Sequence, residues 1–168
     1  MNQGFLMLLG VVALVCSLQT ALAAEVGGVA PDCALSAIGG TQDYSLKQFR
    51  GKVLYVDFWS SWCGPCAQSF TFLNELDRDL KGQGLQVIGI NLDEAGEDAK
   101  SFLEQHPASF HIVTDAAQQC AKDFGVKAMP SSYLVDRKGI IRYVHLGFRP
   151  DEAKEFRGLA EQLLAEKP

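Results

Sequence analysis

The sequence predicts an α/β domain in which helices flank a central mixed β-sheet. The apolar run from Val53 to Phe58 is typical of a buried strand, and an amphipathic helix with apolar residues at helical spacing follows it. The run from Leu85 to Asn91 indicates a second buried strand, which the intervening helix makes parallel to the first. At 168 residues, the chain is long enough to form one domain with a full hydrophobic core.

Turn residues and local apolar patterns place the other elements. Residues 33–46 predict a short β-hairpin that turns at Gly39-Gly40, and Ser45 is expected to cap a helical turn. A helix, a strand and a second helix are expected between Asp93 and Pro130, and a hairpin and a final helix complete the chain. The expected bounds are 63–81 for the first helix, 98–105, 110–113 and 116–124 in the next segment, 132–136 and 140–146 for the hairpin, and 151–166 for the last helix, which buries Phe156, Leu159 and Leu163.

The first 24 residues have the composition of a secretory leader. Phe5 to Val15 is an apolar run of eleven residues, and the small residues that precede a cleavage site follow it. We expect a signal peptide over residues 1–24 that is cleaved after Ala23 or Ala24, and a mature domain over residues 25–168. The expected location is therefore the periplasm, reached by export across the inner membrane.

Two other fates of this leader stay open. Residues 1–4 contain no lysine or arginine, and the segment from Phe5 to Ala24 is just long enough to be kept as a membrane anchor. Lipid attachment at Cys16 is the remaining alternative, although Val15 is bulky where a small residue is expected before a lipidated cysteine. Export places the domain in an oxidising compartment, where free thiols tend to pair.

The charge balance excludes some classes of partner. The chain has 15 lysine and arginine residues against 20 aspartate and glutamate residues, so its formal net charge is −5. With a pI near 5.1, it offers no basic stripe for nucleic acid or for anionic lipid. We expect a monomer that has no nucleic-acid partner.

Two cysteines, Cys63 and Cys66, lie where the buried strand meets the helix. The first thiol is therefore expected beside unpaired backbone N–H groups and the positive end of the helix dipole. This position favours a thiolate, which makes Cys63 the expected nucleophile and Cys66 the resolving partner. Two thiols held this close can alternate between a dithiol and a redox-active disulfide.

The same spacing also occurs in zinc sites and in structural disulfides. A structural zinc site needs four ligands, and the sequence has no second C-x-x-C pair and only scattered histidines at His106, His111 and His145. The strand–motif–helix context favours redox chemistry over a structural bond. We predict neither a metal site nor a cofactor.

The segment from Asp57 to Cys66 resembles the active site of thioredoxin, including Gly-Pro between the cysteines and the tryptophans at 59 and 62. The wider layout, over roughly residues 28–165, is similar to the extracytoplasmic thiol-disulfide oxidoreductases of the TlpA/ResA type. The further matching segments are Ala30-Pro31-Asp32, Ser45-Leu46, Gly51-Lys52 and Met129 to Asp136. This resemblance implies an enzyme with the thioredoxin fold, an added N-terminal β-hairpin, and a helix–strand insertion before a cis-proline.

The resemblance also implies roles for individual residues. Asp57, in an otherwise apolar strand, would accept the proton of Cys66, or else would be a polar group retained for fold specificity. A cis bond between Met129 and Pro130 would let Met129 pair with an extended substrate segment. Trp59 is expected in the core, whereas Trp62 would line an apolar docking surface. The residues expected to bind substrate are Trp62, Gly64, Pro65, Met129 and Pro130.

Three positions depart from the related patterns. Thioredoxin has a lysine near the buried carboxylate, where this chain has Gly89. The TlpA/ResA group usually has a glutamate and a helix-kinking proline after the second cysteine, where this chain has Ser69 and Thr71. The glutamate is tied to acid–base tuning in reductases of cytochrome c assembly, so its absence leaves that chemistry to Asp57.

The resemblance implies a reductant of protein disulfides, because thioredoxin has the same Gly-Pro pair and is far more reducing than DsbA. The expected partners are protein thiols and disulfides, which could be those of apocytochrome c or of metal sites, and, by analogy, a membrane electron donor of the CcdA/DsbD type. A disulfide oxidant or isomerase is the alternative. A thiol peroxidase is a third class, although Ser60 stands where that chemistry uses a threonine.

Two further cysteines, Cys33 and Cys120, have two open interpretations. Both could be small buried apolar residues that never meet. Alternatively, they could form a structural disulfide that joins the N-terminal hairpin to the inserted segment. No spacing rule decides between these interpretations.

Overall fold

The computed structural model describes residues 24–167. Its strands are β1 (Ala34–Ser36), β2 (Asp43–Ser45), β3 (Val53–Trp59), β4 (Leu85–Asn91), β5 (His111–Thr114), β6 (Ser131–Val135) and β7 (Ile141–Leu146). Its α-helices are α1 (Gly64–Leu80), α2 (Gly96–Gln105), α3 (Gln119–Phe124) and α4 (Ala153–Ala165). Short 3₁₀ turns cover Leu46–Phe49, Lys81–Gln83 and Pro150–Glu152. Except for Ala24, the predicted signal peptide lies outside the described residues.

The strands form one mixed sheet in the order β2-β1-β5-β4-β3-β6-β7. The central strand β3 pairs in parallel with β4, in a register that places Asp57 beside Gly89. On its other side, β3 pairs antiparallel with β6, and Asp57 lies beside Ser132. The predicted mixed sheet flanked by helices is confirmed. No helix within residues 24–167 is long and apolar enough to cross a bilayer.

All seven residues of β3 are buried, because helices cover both faces of the sheet at its centre. Tyr55 and Trp59 point to the face that packs against α1, α2 and α4. The alternate residues Leu54, Val56 and Phe58 point to the opposite face, towards α3 and the N-terminal hairpin. The near-continuous apolar composition of β3 follows from this double burial.

Several predicted bounds need correction. The inserted helix begins at Gln119 instead of residue 116, because Gln118 has a left-handed backbone with φ 54° and cannot extend the helix backwards. Cys63 is the N-cap of α1 and lies outside the helix. Leu159 is only partly buried, because Phe156, Ala160 and Leu163 form the buried stripe of α4 and Leu159 lies at its margin. The other predicted bounds are within a few residues of those observed.

The N-terminal hairpin is bonded covalently to the inserted segment. Cys33 immediately precedes β1, Cys120 lies on α3, and their sulfur atoms form a disulfide with Cα atoms 5.2 Å apart. Both side chains are nearly inaccessible to solvent. The interpretation of these residues as cysteines that never meet is therefore wrong, and the interpretation as a structural disulfide is confirmed.

We predict that replacing both Cys33 and Cys120 with alanine lowers the free energy of unfolding by about 4 kcal/mol, since the bond spans 87 residues and closes a long loop in the unfolded chain. Denaturant unfolding of the oxidised variant and of the oxidised wild type measures the difference, with the Cys63–Cys66 pair intact in both. After mild reduction, titration of the mature wild-type domain should detect two thiols. Four thiols and an unchanged unfolding free energy would rule out a stabilising bond.

Candidate active site

The cysteine pair sits at the start of α1. Cys63 is the N-cap, and its Sγ accepts a hydrogen bond from the Cys66 backbone N–H at 3.3 Å. Pro65 occupies the first turn, where the missing N–H has no helical partner to lose. The Cys63–Cys66 disulfide is formed, with Cα atoms 5.3 Å apart. The pair therefore lies where the helix N-terminus stabilises a thiolate on Cys63.

The two sulfur atoms differ in access. Cys66 is completely buried, whereas Cys63 retains 5% of its surface and lines a surface groove beside Trp62 and α2. An incoming disulfide can therefore approach Cys63 but not Cys66. This asymmetry agrees with Cys63 as the nucleophile and Cys66 as the resolving thiol.

The loop before the cysteines is fixed by a buried carboxylate. Asp93 follows β4, and its side chain accepts a hydrogen bond from the Ser61 backbone N–H at 3.0 Å. The Asn91 amide donates to the same carboxylate at 2.8 Å. Sequence reasoning missed Asp93 and Asn91. The available signal was a pair of polar residues at the carboxyl end of a buried strand, next to the strand that leads into the cysteines.

The two tryptophans have opposite environments. Trp59 is fully buried, and its ring centroid lies 5.0 Å from that of Phe70 and 4.9 Å from that of Phe102. Trp62 is 74% exposed and separates the groove beside Cys63 from a second groove that includes Met129. The predicted core position of Trp59 is confirmed. Trp62 is exposed, and its predicted role in an apolar docking surface stays a prediction.

The bond between Met129 and Pro130 is cis, as predicted. The Ser60 hydroxyl, which is buried, donates to the Met129 Sδ at 3.1 Å and ties this segment to the cysteine loop. Met129 lines the second groove together with Ser60 and Trp62. The cis-proline segment and the cysteine loop thus form two walls of one surface.

Asp57 is fully buried in the middle of β3. Its Oδ1 accepts a hydrogen bond from the Ser132 hydroxyl at 2.5 Å, and among the described residues its Oδ2 has no hydrogen-bond partner. Burial raises the pKa of Asp57 to about 7, and the Ser132 hydrogen bond acts in the opposite direction. Burial, together with the charge of Asp57, also raises the pKa of Tyr55. A carboxyl group with this pKa can exchange a proton near neutral pH.

The three departures from related patterns have structural reasons. A Cβ atom at Gly89 would lie 2.9 Å from side-chain carbons of Phe110 and Ile112, so these residues fill the space that a longer side chain would need. Ser69 is buried and donates to the Cys66 carbonyl at 3.0 Å. Helix α1 continues through Thr71 without interruption. Among the described residues, no cluster of three or more potential metal ligands is present.

A thioredoxin fold that presents a C-x-x-C disulfide at a helix N-terminus, beside a cis-proline segment, defines a thiol-disulfide oxidoreductase. The chain belongs to the Redoxin family, whose profile matches residues 25–163. The predicted resemblance to the TlpA/ResA group and the predicted enzyme class are confirmed by this match and by the similar proteins that follow.

The chain is 32% identical to the thiol-disulfide oxidoreductase ResA of Geobacillus thermodenitrificans over 125 residues, which cover 74% of this chain and 71% of that protein. It is 31% identical to the thioredoxin-like protein YneN of Bacillus subtilis over 124 residues, with coverage of 72% and 71%. A crystal structure from Chlorobium tepidum, provisionally assigned as the thiol:disulfide interchange protein DsbE, superposes with a TM-score of 0.81 at 40% identity. That match covers 85% of this chain and 100% of the other.

The difference in access between the two sulfur atoms predicts unequal reactivity in the single-cysteine variants. After reduction, Cys66→Ser should release one thionitrobenzoate from Ellman's reagent at neutral pH, at least roughly ten times faster than Cys63→Ser does. The wild type should release two, because Cys66 then displaces the reagent from Cys63. Both variants should react fully in denaturant, which controls for thiol content. Similar rates for the two folded variants would contradict the assignment.

Proposed function

We propose that this protein is an extracytoplasmic reductant of protein disulfides that acts through the Cys63–Cys66 dithiol. The observation that carries the proposal is the Gly64-Pro65 pair between the cysteines at the start of α1, because thioredoxin has the same pair and a low reduction potential. Two features support the extracytoplasmic location. Residues 1–24 resemble a secretory leader, and the buried Cys33–Cys120 disulfide fits an oxidising compartment.

In the first step, the Cys63 thiolate attacks one sulfur of a client disulfide. The client S–S bond breaks, a mixed disulfide with Cys63 forms, and the other client sulfur leaves as a thiolate. The helix N-terminus lowers the cost of the Cys63 negative charge before attack. The groove position of Cys63 gives the client access to it.

In the second step, Cys66 gives its proton to Asp57 and attacks the sulfur of Cys63. The mixed disulfide breaks, the client leaves as a second thiolate, and the Cys63–Cys66 disulfide forms. The client has then gained two electrons and the enzyme has lost two. Asp57 suits this role because it is buried and burial raises its pKa to about 7. In addition, its Oδ2 has no hydrogen-bond partner among the described residues.

The client segment would bind across the two walls of the site. An extended segment can pair with the backbone of Met129 next to the cis Pro130, as an added strand does at a sheet edge. The exposed face of Trp62 would bury apolar atoms of the client, and the exposed Gly64 and Pro65 would contact the client beside Cys63.

A reductant in an oxidising compartment must be re-reduced, and the proposed donor is a membrane protein of the CcdA/DsbD type. Thiols of apocytochrome c or of metal sites are the proposed clients. The similar proteins, named thiol-disulfide oxidoreductase and thiol:disulfide interchange protein, support protein thiols as the substrate class. The protein would act as a monomer, without nucleic acid. The opposite direction of electron flow, as in a disulfide oxidant or isomerase, would need a less stable Cys63–Cys66 disulfide.

The direction of electron flow is tested by the equilibrium reduction potential of the Cys63–Cys66 pair in glutathione buffers. We expect a value near that of thioredoxin, about −270 mV, because the residues between the cysteines are the same. Replacing Gly64-Pro65 with another dipeptide should raise the potential and serves as the matched variant. A wild-type potential near that of DsbA, about −120 mV, would overturn the reductant assignment.

The role of Asp57 is tested with Asp57→Asn. The variant should resolve mixed disulfides at least roughly tenfold more slowly at neutral pH, whereas the first attack by Cys63 changes less, because the base serves Cys66. In the wild type, the resolution rate should rise with pH through about 7, as Asp57 loses its proton. A variant that folds poorly yet resolves mixed disulfides at the wild-type rate would favour a purely structural role.

The same variant has a defined effect on stability. Because the folded-state pKa of Asp57, about 7, lies above the unfolded value of 3.8, the folded wild type retains a proton that the unfolded chain loses between these pH values. The contribution of Asp57 to the free energy of unfolding of the wild type is therefore greatest below pH 3.8, and it decreases as the pH rises towards 7. Asp57→Asn should lack this loss and gain up to roughly 4 kcal/mol relative to the wild type by pH 8.

A further inference from the structure

Four residues form a row across the centre of the sheet. Gly89 on β4, Asp57 on β3, Ser132 on β6 and His145 on β7 lie in register. The row faces the side of the sheet that packs against α1 and α4. Ser132 is the only side chain among the described residues that donates a hydrogen bond to Asp57.

We propose that Ser132 is a positioning residue for proton transfer from Cys66: its hydroxyl holds the Asp57 carboxylate through Oδ1 and leaves Oδ2 as the oxygen that receives the proton. The inference rests on the proposed role of Asp57 as the proton acceptor. It adds a second residue to that step and assigns different functions to the two carboxylate oxygens.

The geometry supports different functions for the two carboxylate oxygens of Asp57. Ser132 is 7% exposed and its Oγ lies 2.5 Å from Oδ1, so solvent does not compete for that oxygen. Oδ2 is equally buried but has no partner among the described residues. A buried acceptor without a donor is costly, and a catalytic role is one of the reasons for which native structures retain such a group.

The hydrogen bond has a second consequence. A hydroxyl that donates to a carboxylate stabilises the charged form more than the neutral form. Without this donor, burial alone would keep Asp57 protonated over a wider pH range, and it could not accept a proton from Cys66 near neutral pH. With the donor, the group remains a usable base.

The Cys66 S–H proton moves to Oδ2, and the Cys66 thiolate forms a bond with the Cys63 sulfur. The bond between Cys63 and the client breaks, and its electron pair leaves with the client sulfur. Ser132 keeps its own proton throughout, because it donates to Oδ1 in both protonation states of Asp57.

Other groups near this row could also change charge with pH. On β3 the neighbour is Tyr55, whose hydroxyl also interacts with Ser132, and Gly89 of β4 has no side chain. Cys66 of α1 and Phe156 and Ala160 of α4 belong to the apolar cluster on the same face of the sheet. Beyond Ser132, His145 Nε2 lies 3.2 Å from Glu152, which also pairs with Arg149. His145 is the imidazole in this row, so it needs its own control.

The test is a stopped-flow reaction of the fully reduced pair with Ellman's reagent between pH 5 and 9. The first release of thionitrobenzoate measures attack by Cys63, and the second measures resolution by Cys66. Ser132→Ala should move the midpoint of the second phase upward by roughly one to two pH units and leave the first phase unchanged. A carbon-13 label on Asp57 should show the same upward shift in its carboxyl titration.

The matched controls separate this effect from a general disturbance of the fold. Ser131 is the buried neighbour on the same strand, and its hydroxyl donates to the Ala128 carbonyl at 2.6 Å. Ser131→Ala therefore removes a buried hydrogen bond without touching Asp57, and it should keep the wild-type midpoint. His145→Gln should also keep it, which excludes the imidazole as the titrating group.

If Ser132→Ala does not fold, the isosteric pair Ser132→Thr and Ser132→Val answers the same question. Threonine retains the hydroxyl and should keep the midpoint, and valine lacks it and should shift the midpoint upward. A normal midpoint in Ser132→Ala or Ser132→Val would overturn the role of Ser132. Failure of the proposed function is distinguishable, because then Asp57→Asn itself would leave the second phase at the wild-type rate.

Discussion

The burial of β3 on both faces is the constraint on which the site depends. Since this strand lies at the centre of the sheet, with β4 on one side and β6 on the other, its end is fixed by pairing along its whole length. The cysteine loop therefore starts from a rigid point, and α1 begins only a few residues later. The position of Cys63 at the N-terminus of a helix is thus determined by sheet packing, and the helix then favours its thiolate.

The same burial makes the charged form of Asp57 energetically costly. The Asp57 carboxylate loses its hydration on the face of the sheet that packs against α1 and α4, and among the described residues only the Ser132 hydroxyl donates to it instead. A lysine on β4 has no room, because Phe110 and Ile112 fill the space over Gly89. In this chain the partner of the carboxylate is therefore a neutral donor on β6. The carboxyl group is consequently easier to protonate than it would be beside an ammonium group.

The sequence was informative wherever the signal was local. The apolar runs of β3 and β4, the cysteine pair and the turn at Gly39-Gly40 each have a short-range pattern, and the predicted elements follow them closely. Contacts between distant segments had no such pattern. The Cys33–Cys120 bond spans 87 residues, and Ser132 meets Asp57 only through the register of β3 and β6. The α3 boundary was misplaced because nothing in the composition of residues 116–118 shows the left-handed backbone of Gln118.

The long-range contacts that the sequence did not reveal all support the catalytic surface. The Cys33–Cys120 disulfide fixes α3, and the chain leaves α3 directly into the segment that contains Met129 and the cis Pro130. Asp93 holds the opposite wall through Ser61, and the Ser60 hydroxyl joins the two walls at Met129. Disulfide exchange needs the attacking sulfur, the target sulfur and the leaving sulfur nearly in line, which tolerates little movement of either wall. A fold that tethers both walls at their bases, and leaves Trp62 exposed between them, meets that requirement without enclosing the client.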